Sequence, residues 1–368
     1  GAGLFIRTLA NLKYLDTGFH ADNVLLVSLN PGLSRYSPER TRSFYDQLLE
    51  RVAGLPGVHS ASMASEPLLG GTYIDGLVVE GQAARPGEST AVRIKSVSAG
   101  FFETMGIALR VGRDFSSHDR SGARVAIINE VLARQFFSGQ NPIGKLVGVG
   151  SLAPDREIVG VIADTKYRNI REPFSATVYL LIGQGESAEA ERTLHVRTGS
   201  DAAAMAAAVR EQVRALDKEL PVAKVNMFSD LVDENLVQER LIATLSGFFG
   251  ALALLLASIG LYGVMAYSVQ RRTREIGIRM SLGAARGKVA WMILRDCLLM
   301  VTAGIAIGIP LSLYFSKLVS SQLFGLSPDD PVTIAAATLL LIAVAAVAGS
   351  LPARRATRVD PMVALRCE

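Results

Sequence analysis

Residues 241–269, 298–315 and 332–351 contain no Asp, Glu, Lys or Arg at all. An apolar run must reach roughly 20 residues to cross a hydrocarbon core of about 30 Å as a helix. The first run exceeds that length, the second is close to the minimum and the third meets it. Such runs have few alternatives, because a backbone in lipid must satisfy its own hydrogen bonds. We therefore expect membrane spans at about 241–269, 297–316 and 332–352. Between the first two lies Gln270-Arg-Arg-Thr-Arg-Glu-Ile-Gly-Ile-Arg-Met-Ser-Leu-Gly-Ala-Ala-Arg-Gly-Lys-Val289, with six basic residues against the single acid Glu275. Short loops this basic stay on the cytoplasmic side. The tail agrees, with Arg354, Arg355, Arg358 and Arg366, and the loop at 316–331 then falls outside. The same logic puts residues 11–238 outside the membrane.

Composition supports this division. Hydrophobic residues make up 49% and charged ones only 20% of the 368 residues. The formal charge of +4 averages a mixed-charge first part with basic membrane flanks. Basic residues placed this way report membrane topology and not nucleic-acid binding. The two cysteines, Cys297 and Cys367, both lie beyond the outer region, which excludes a disulfide framework there. The start, Gly-Ala-Gly-Leu-Phe-Ile-Arg7, lacks the basic first region of a signal peptide. Residues 1–12 read as the outer end of a truncated transmembrane helix, and the chain as a fragment of a longer one.

Within residues 20–235, alternation and turn signals predict an α+β extracytoplasmic domain. A strand at 24–29, a helix opened by Ser37-Pro38 and a strand at 58–63 form one β-α-β unit. A second comprises 192–197, a helix at 201–216 and 221–226. Further strands are predicted at 76–79, 91–97, 126–128, 157–161 and 177–181, with a helix at 129–137. Two β-α-β units with an inserted subdomain at about 68–152 result, joined to an α-helical transmembrane bundle in 241–368. A helix at 229–240 is expected to run on into the first span.

No catalytic, cofactor or metal site emerges from the sequence. Gly139-Gln-Asn-Pro-Ile-Gly-Lys-Leu146 matches a P-loop until its last position, where Leu cannot hold magnesium as Ser or Thr does. It reads as a turn between a helix and a strand. His20, His59, His118 and His195 have no metal-ligand spacing. In the spans, Ser246, Gly250, Ala253, Ala257 and Gly260 form a stripe of small residues, and Gly304 and Gly308 form another. Small stripes let helices approach closely in lipid. Packing inside one bundle is the preferred reading, and an interface with a second unit is the sharper one. No span carries a charge of the kind that lines an ion path. In the basic segment, Arg271–Glu275 and Glu275–Arg279 are i,i+4 pairs if helical. Spacing alone leaves a lipid-facing loop and a partner-docking helix equally open.

Three groups of residues carry a family resemblance. Arg272-Thr-Arg-Glu-Ile-Gly-Ile-Arg-Met-Ser-Leu-Gly-Ala284 resembles the segment between the second and third spans of MacB/FtsX-like ABC transporter permeases. Pro352-Ala-Arg-Arg-Ala-Thr-Arg-Val-Asp-Pro-Met-Val-Ala-Leu-Arg366 resembles that family's C-terminal pattern. Phe101-Phe-Glu-Thr-Met-Gly-Ile107, Gly112-Arg-Asp-Phe115 and Asn141-Pro-Ile-Gly-Lys145 resemble its extracytoplasmic core domain. Within the family, the opening residues look most like the C-terminal half of a duplicated orphan permease of the ADOP type.

The resemblance implies four spans per unit in a bacterial inner membrane and a coupling helix that docks on a cytoplasmic ABC ATPase. The residues it assigns to that contact are Arg271, Arg272, Arg274, Glu275, Ile276, Gly277, Arg279, Gly283 and Ala284. Movement of the outer domain would then follow ATP hydrolysis in the partner, for export or efflux. Other implied partners are a second permease half or a homodimer mate, the lipid bilayer and a periplasmic adaptor. The rival expectation is a transmembrane signalling protein that regulates a cell-wall hydrolase; an enzyme acting outside the membrane comes third.

Overall fold

The computed structural model describes residues 2–13, 15–71, 73–81, 90–150, 153–184, 191–199, 201–220, 222–282, 285–318 and 331–356. It divides into two compact units, Leu15–Leu236 and Gly1–Tyr14 with Val237–Glu368.

The first unit is built on two interleaved β-α-β units. One is β1 (Val24–Leu29), α2 (Pro38–Ala53) and β2 (Val58–Ala64); the other is β10 (Arg192–Thr198), α5 (Ala202–Leu216) and β11 (Val222–Met227). β10 inserts between β1 and β2, and β1 between β10 and β11, antiparallel throughout. This is the split β-α-β topology. Helix α2 starts as its sequence dictates: the Ser37 side chain accepts from the Arg40 N–H and Pro38 takes the first turn. Its apolar face, Phe44, Tyr45, Leu48 and Val52, packs with Val209 and Val213 of α5 on Leu25, Val27 and Leu29 of the sheet. Each fully buried side chain of this kind contributes about 1.5–3 kcal/mol. The other face of the sheet is covered by α3 (Phe101–Met105) and α6 (Phe228–Glu234).

The inserted part is a closed barrel. Strands β3 (Tyr73–Val79), β7 (Leu146–Val149), β8 (Arg156–Ile162), β6 (Val125–Asn129), β9 (Thr177–Leu181) and β4 (Ala91–Val97) bond in that order, and β4 returns to β3. Val79, Val92, Ile128, Val147, Ile158 and Val178 fill it, and α4 (Glu130–Phe137) adds Leu132 and Phe137. Side chains suffice to fill a barrel this small. The ring closes only through β8 and β9, so it extends past residue 152, where the insertion was expected to end. Both strands are almost wholly buried, and an unalternating apolar run does not reveal which sheet it joins. β5 (Leu109–Gly112), with all four residues exposed, pairs with β8 outside the ring. It lacks the alternation that would mark it as a strand.

Barrel and sheet meet where β2 runs alongside β4: Ala64 lies opposite Val97, Ser65 N–H bonds Ser96 O, and Ser98 N–H bonds Met63 O. The expected turn after α4 is present, with Gly139 and Gly144 at positive φ and Lys145 N–H bonded to Pro142 O. Gly112 has φ +83°, and a Cβ there would lie 2.2 Å from Val159 O. Gly112→Ala should therefore destabilise this unit by about 3 kcal/mol, seen as a lower denaturant midpoint; an unchanged midpoint would show that β5 yields freely.

The second unit contains α1 (Ala2–Lys13), α7 (Val237–Arg271), α8 (Thr273–Ser281), α9 (Arg286–Leu318) and α10 (Pro331–Ala356). Three of these helices are long and apolar enough to cross a membrane: Val237–Arg271, Gly287–Phe315 and Pro331–Ser350. At about 1.5 Å per residue, the 35 residues of α7 outreach the hydrocarbon core. The helix expected to continue from 229 into the first span is instead interrupted. α6 ends at Glu234, where Asn235 returns its N–H and its side-chain amide to Leu231 O. Leu236 is buried, and α7 begins afresh at Val237.

Candidate functional site

Helix α8 follows α7 after a single residue, Arg272. Continuity is kept by hydrogen bonds: Arg272 N–H reaches Ser268 O and Val269 O, the Thr273 hydroxyl donates to Val269 O, and Ile276 N–H bonds Arg272 O. Among the described residues, Ile276 is the buried side chain that seats this short helix. Ile276 is 1% exposed and sits among Met265, Val289, Ile293 and Cys297 from α7 and α9. Arg272 closes this seat by donating to Asp296 at 2.9 Å. Both partners of that ion pair are partly exposed, so its worth is positional more than energetic.

The outward side of α8 is different. Glu275 and Arg279 form the expected i,i+4 pair at 2.6 Å with both side chains half exposed, and Arg279 also donates to Met292 Sδ. Beside them Ile278 is 43% and Leu282 82% exposed. A helix anchored through Ile276, with an exposed ion pair and exposed Ile278, followed at once by exposed Leu282, presents a face suited to a protein partner. Arg271 is exposed at the end of α7. Arg274 and Gly277 lie within α8, and Gly283 and Ala284 lie outside the described residues. Of the residues assigned to the coupling contact, Ile276 points inward and its role is to seat the helix. Its burial follows from being the apolar residue of α8 that faces α9. The residue missed by sequence reasoning is Asp296; an acid among basic flanks was its signal.

The small-residue stripes are largely unfilled. Ser246 and Gly250 are half-buried, whereas Ala253, Ala257 and Gly260 are exposed. A Cβ at Gly260, Gly304 or Gly308 would meet no atom within 4 Å. Packing inside the bundle, the preferred reading, thus does not hold at these three glycines among the described residues. It holds in α10, where Gly349 approaches Cys297 so closely that a Cβ would lie 2.9 Å from the sulfur. Ala257, Gly304 and Gly308 instead line an apolar cleft of about 490 Å³ between α7, α9 and α10.

No group of three or more His, Cys, Asp or Glu that could hold a metal ion occurs among the described residues. His195, wholly buried under the Phe101 ring, has its pKa pushed down to about 3 by burial and by the Lys95 charge.

Comparison with known families settles the lineage. The MacB-like periplasmic core domain matches residues 10–216, more than half of the chain, and the FtsX-like permease C-terminal domain matches 247–361. The chain belongs to the MacB/FtsX-like ABC transporter permease family. Among its relatives, the macrolide export ATP-binding/permease protein MacB of Sodalis glossinidius is 27% identical over the whole chain. The chain spans 55% of that relative's length. The ABC transporter permease YknZ of Bacillus subtilis is 26% identical, over 76% of the chain and 71% of YknZ. The periplasmic region of MacB from Actinobacillus actinomycetemcomitans superimposes with a TM-score of 0.41 at 15% identity, covering 62% of this chain and 97% of that one. In this permease, Leu15–Leu236 is the extracytoplasmic domain and the three long apolar helices belong to the membrane part.

Proposed function

We propose that this permease is a half-transporter driven by an ABC ATPase docked on the outward face of α8, with nucleotide-dependent movement passed to the extracytoplasmic domain. The observation that carries this reading is the build of α8. Ile276 and the Arg272–Asp296 pair fix the helix to α7 and α9, so a push on its exposed Glu275, Ile278, Arg279 and Leu282 is delivered to two membrane spans at once. Relatives named for export, such as MacB, support an export or efflux role in a bacterial inner membrane.

A second permease unit is the proposed cover for the open glycines. In lipid no hydrophobic force holds helices together, so close backbone packing must supply the association energy. Gly260, Gly304 and Gly308 offer that close approach and find no neighbour within 4 Å.

The test is reconstitution with the cognate ATPase in proteoliposomes. Glu275→Ala with Arg279→Ala should cut permease-stimulated ATP hydrolysis by at least about tenfold, the loss of one or two exposed partner contacts. Stimulation equal to that of the unaltered chain would remove the assignment. Co-purification of a cell-wall hydrolase with the extracytoplasmic domain, without any exported compound, would favour the signalling alternative.

A further inference from the structure

A polar pocket opens on the surface of the extracytoplasmic domain, where β1 and β10 of the split β-α-β sheet face β4 of the barrel and where Glu66, Tyr73 and Glu191 are exposed. Its volume is about 360 Å³, inside the roughly 300–1,000 Å³ typical of small-molecule sites. Polar groups of its lining include Ser28, Ser65, Thr193, Lys95, Glu66, Glu191 and Tyr73.

Counting donors and acceptors says what the pocket lacks. Lys95, 1% exposed, has given its ammonium to the Glu66 and Pro67 carbonyls at 2.7 and 3.1 Å, and rests 4.9 Å from the centre of the Tyr167 ring. Tyr73 donates to Asp75 at 3.2 Å, and the Tyr167 hydroxyl to Ile94 O. Among the lining residues the hydroxyls of Ser28, Ser65 and Thr193 still have a donor to share, but the ammonium and the Tyr73 and Tyr167 phenols are committed. The acceptors are not. Among the described residues the Glu66 carboxylate accepts no hydrogen bond, and Glu191 takes only a long one, 3.4 Å, from Asn30. Ser28 and Thr193 hold each other at 3.4 Å, leaving lone pairs free. Two carboxylates against one ammonium already bound to backbone leave the pocket short of positive charge.

We infer that this pocket binds a small organic amine, whose ammonium groups donate to Glu66 and Glu191 and whose remaining donors meet the Ser28 and Thr193 hydroxyls. A metal ion is the poorer fit, since hard cations ask for more oxygen ligands than two carboxylates give. Gly71 adds a handle that alters no charge. A Cβ there would lie 2.1 Å from Glu66 Oε2, so Gly71→Ala must push that carboxylate out of place.

The experiment is equilibrium dialysis of the whole chain in detergent against labelled spermidine, with sorbitol as the neutral and glutarate as the anionic competitor. No ATPase is present, so the outcome is separate from that of the coupling proposal. One spermidine per chain is expected, displaced by neither competitor. Glu66→Gln with Glu191→Gln should weaken uptake by at least about tenfold, as for a lost charge-assisted hydrogen bond. Gly71→Ala should weaken it with all charges in place, and Asp46→Asn, on the far exposed Arg120 pair, should leave it unchanged. The double variant's circular dichroism spectrum reports whether it folds; if it does not, Gly71→Ala decides. No uptake, uptake indifferent to Gly71→Ala, equal loss in Asp46→Asn, or displacement by glutarate or sorbitol would each overturn the inference.

Discussion

Ile276→Asp should release α8 from the membrane helices and abolish stimulation of a partner ATPase. The substituted carboxylate would replace the buried Ile276 side chain that lies among Met265, Val289, Ile293 and Cys297, where no described donor awaits it. Loss of the packed aliphatic group together with burial of a charge costs about 3–5 kcal/mol. A nine-residue helix has no stability of its own against that, because isolated helices shorter than about 12 residues are marginal in water. Trypsin provides a readout independent of any partner: Arg271, Arg272 and Arg279 should be cleaved much faster in the variant. Ile276→Val, costing about 1 kcal/mol, should behave like the unaltered chain in both assays. Equal cleavage of the Asp variant and the original would mean that α8 is held by something other than Ile276.

The second large effect concerns pH. Burial pushes the Lys95 amine down from 10.5 to about 7, with the nearby Glu66 charge opposing. Between those two values the unfolded chain binds a proton that the folded chain does not, so stability rises with pH across that window. Below about pH 7 both states are protonated and the full burial cost is in force. A one-proton difference changes stability by roughly 1.4 kcal/mol per pH unit. Lys95→Met removes the titrating group while keeping the volume of the side chain. The gap in unfolding free energy between the two proteins should then shift steadily in favour of the lysine form as pH rises from about 7 to 10.5. The carbonyls of Glu66 and Pro67, stripped of their donor, add a pH-independent loss of about 1–3 kcal/mol to the variant. Parallel pH profiles for the two proteins would mean that Lys95 titrates as an exposed lysine.

What the sequence disclosed and what it withheld divide along physical lines. The long apolar helices, the Ser37 cap and the Glu275–Arg279 pair rest on local sequence signals, and the structure reproduces each of them. The barrel was hidden because closure depends on partners far apart in the chain. β4 pairs both β3 and β9, and no pattern within 91–97 announces a second neighbour. Lys95 was likewise passed over: in Ala91-Val-Arg-Ile-Lys-Ser-Val97 it looks like one of two outward charges on an ordinary strand. Its burial comes from the loop at 65–70 and from Tyr167. Ile276 was assigned to a partner contact because the family resemblance implied that role for the whole segment, and helical spacing does not say which face meets the rest of the molecule.

The closed barrel and its attachment to the open sheet have a mechanical consequence. A ring of strands with every partner satisfied resists shear, since any slip would break several ladders together. The β2–β4 junction is a shorter ladder, in which Ser65 N–H bonds Ser96 O, Ser98 N–H bonds Met63 O and Lys95 reaches the Glu66 and Pro67 carbonyls. A load on the extracytoplasmic domain should therefore leave the ladders of the barrel intact.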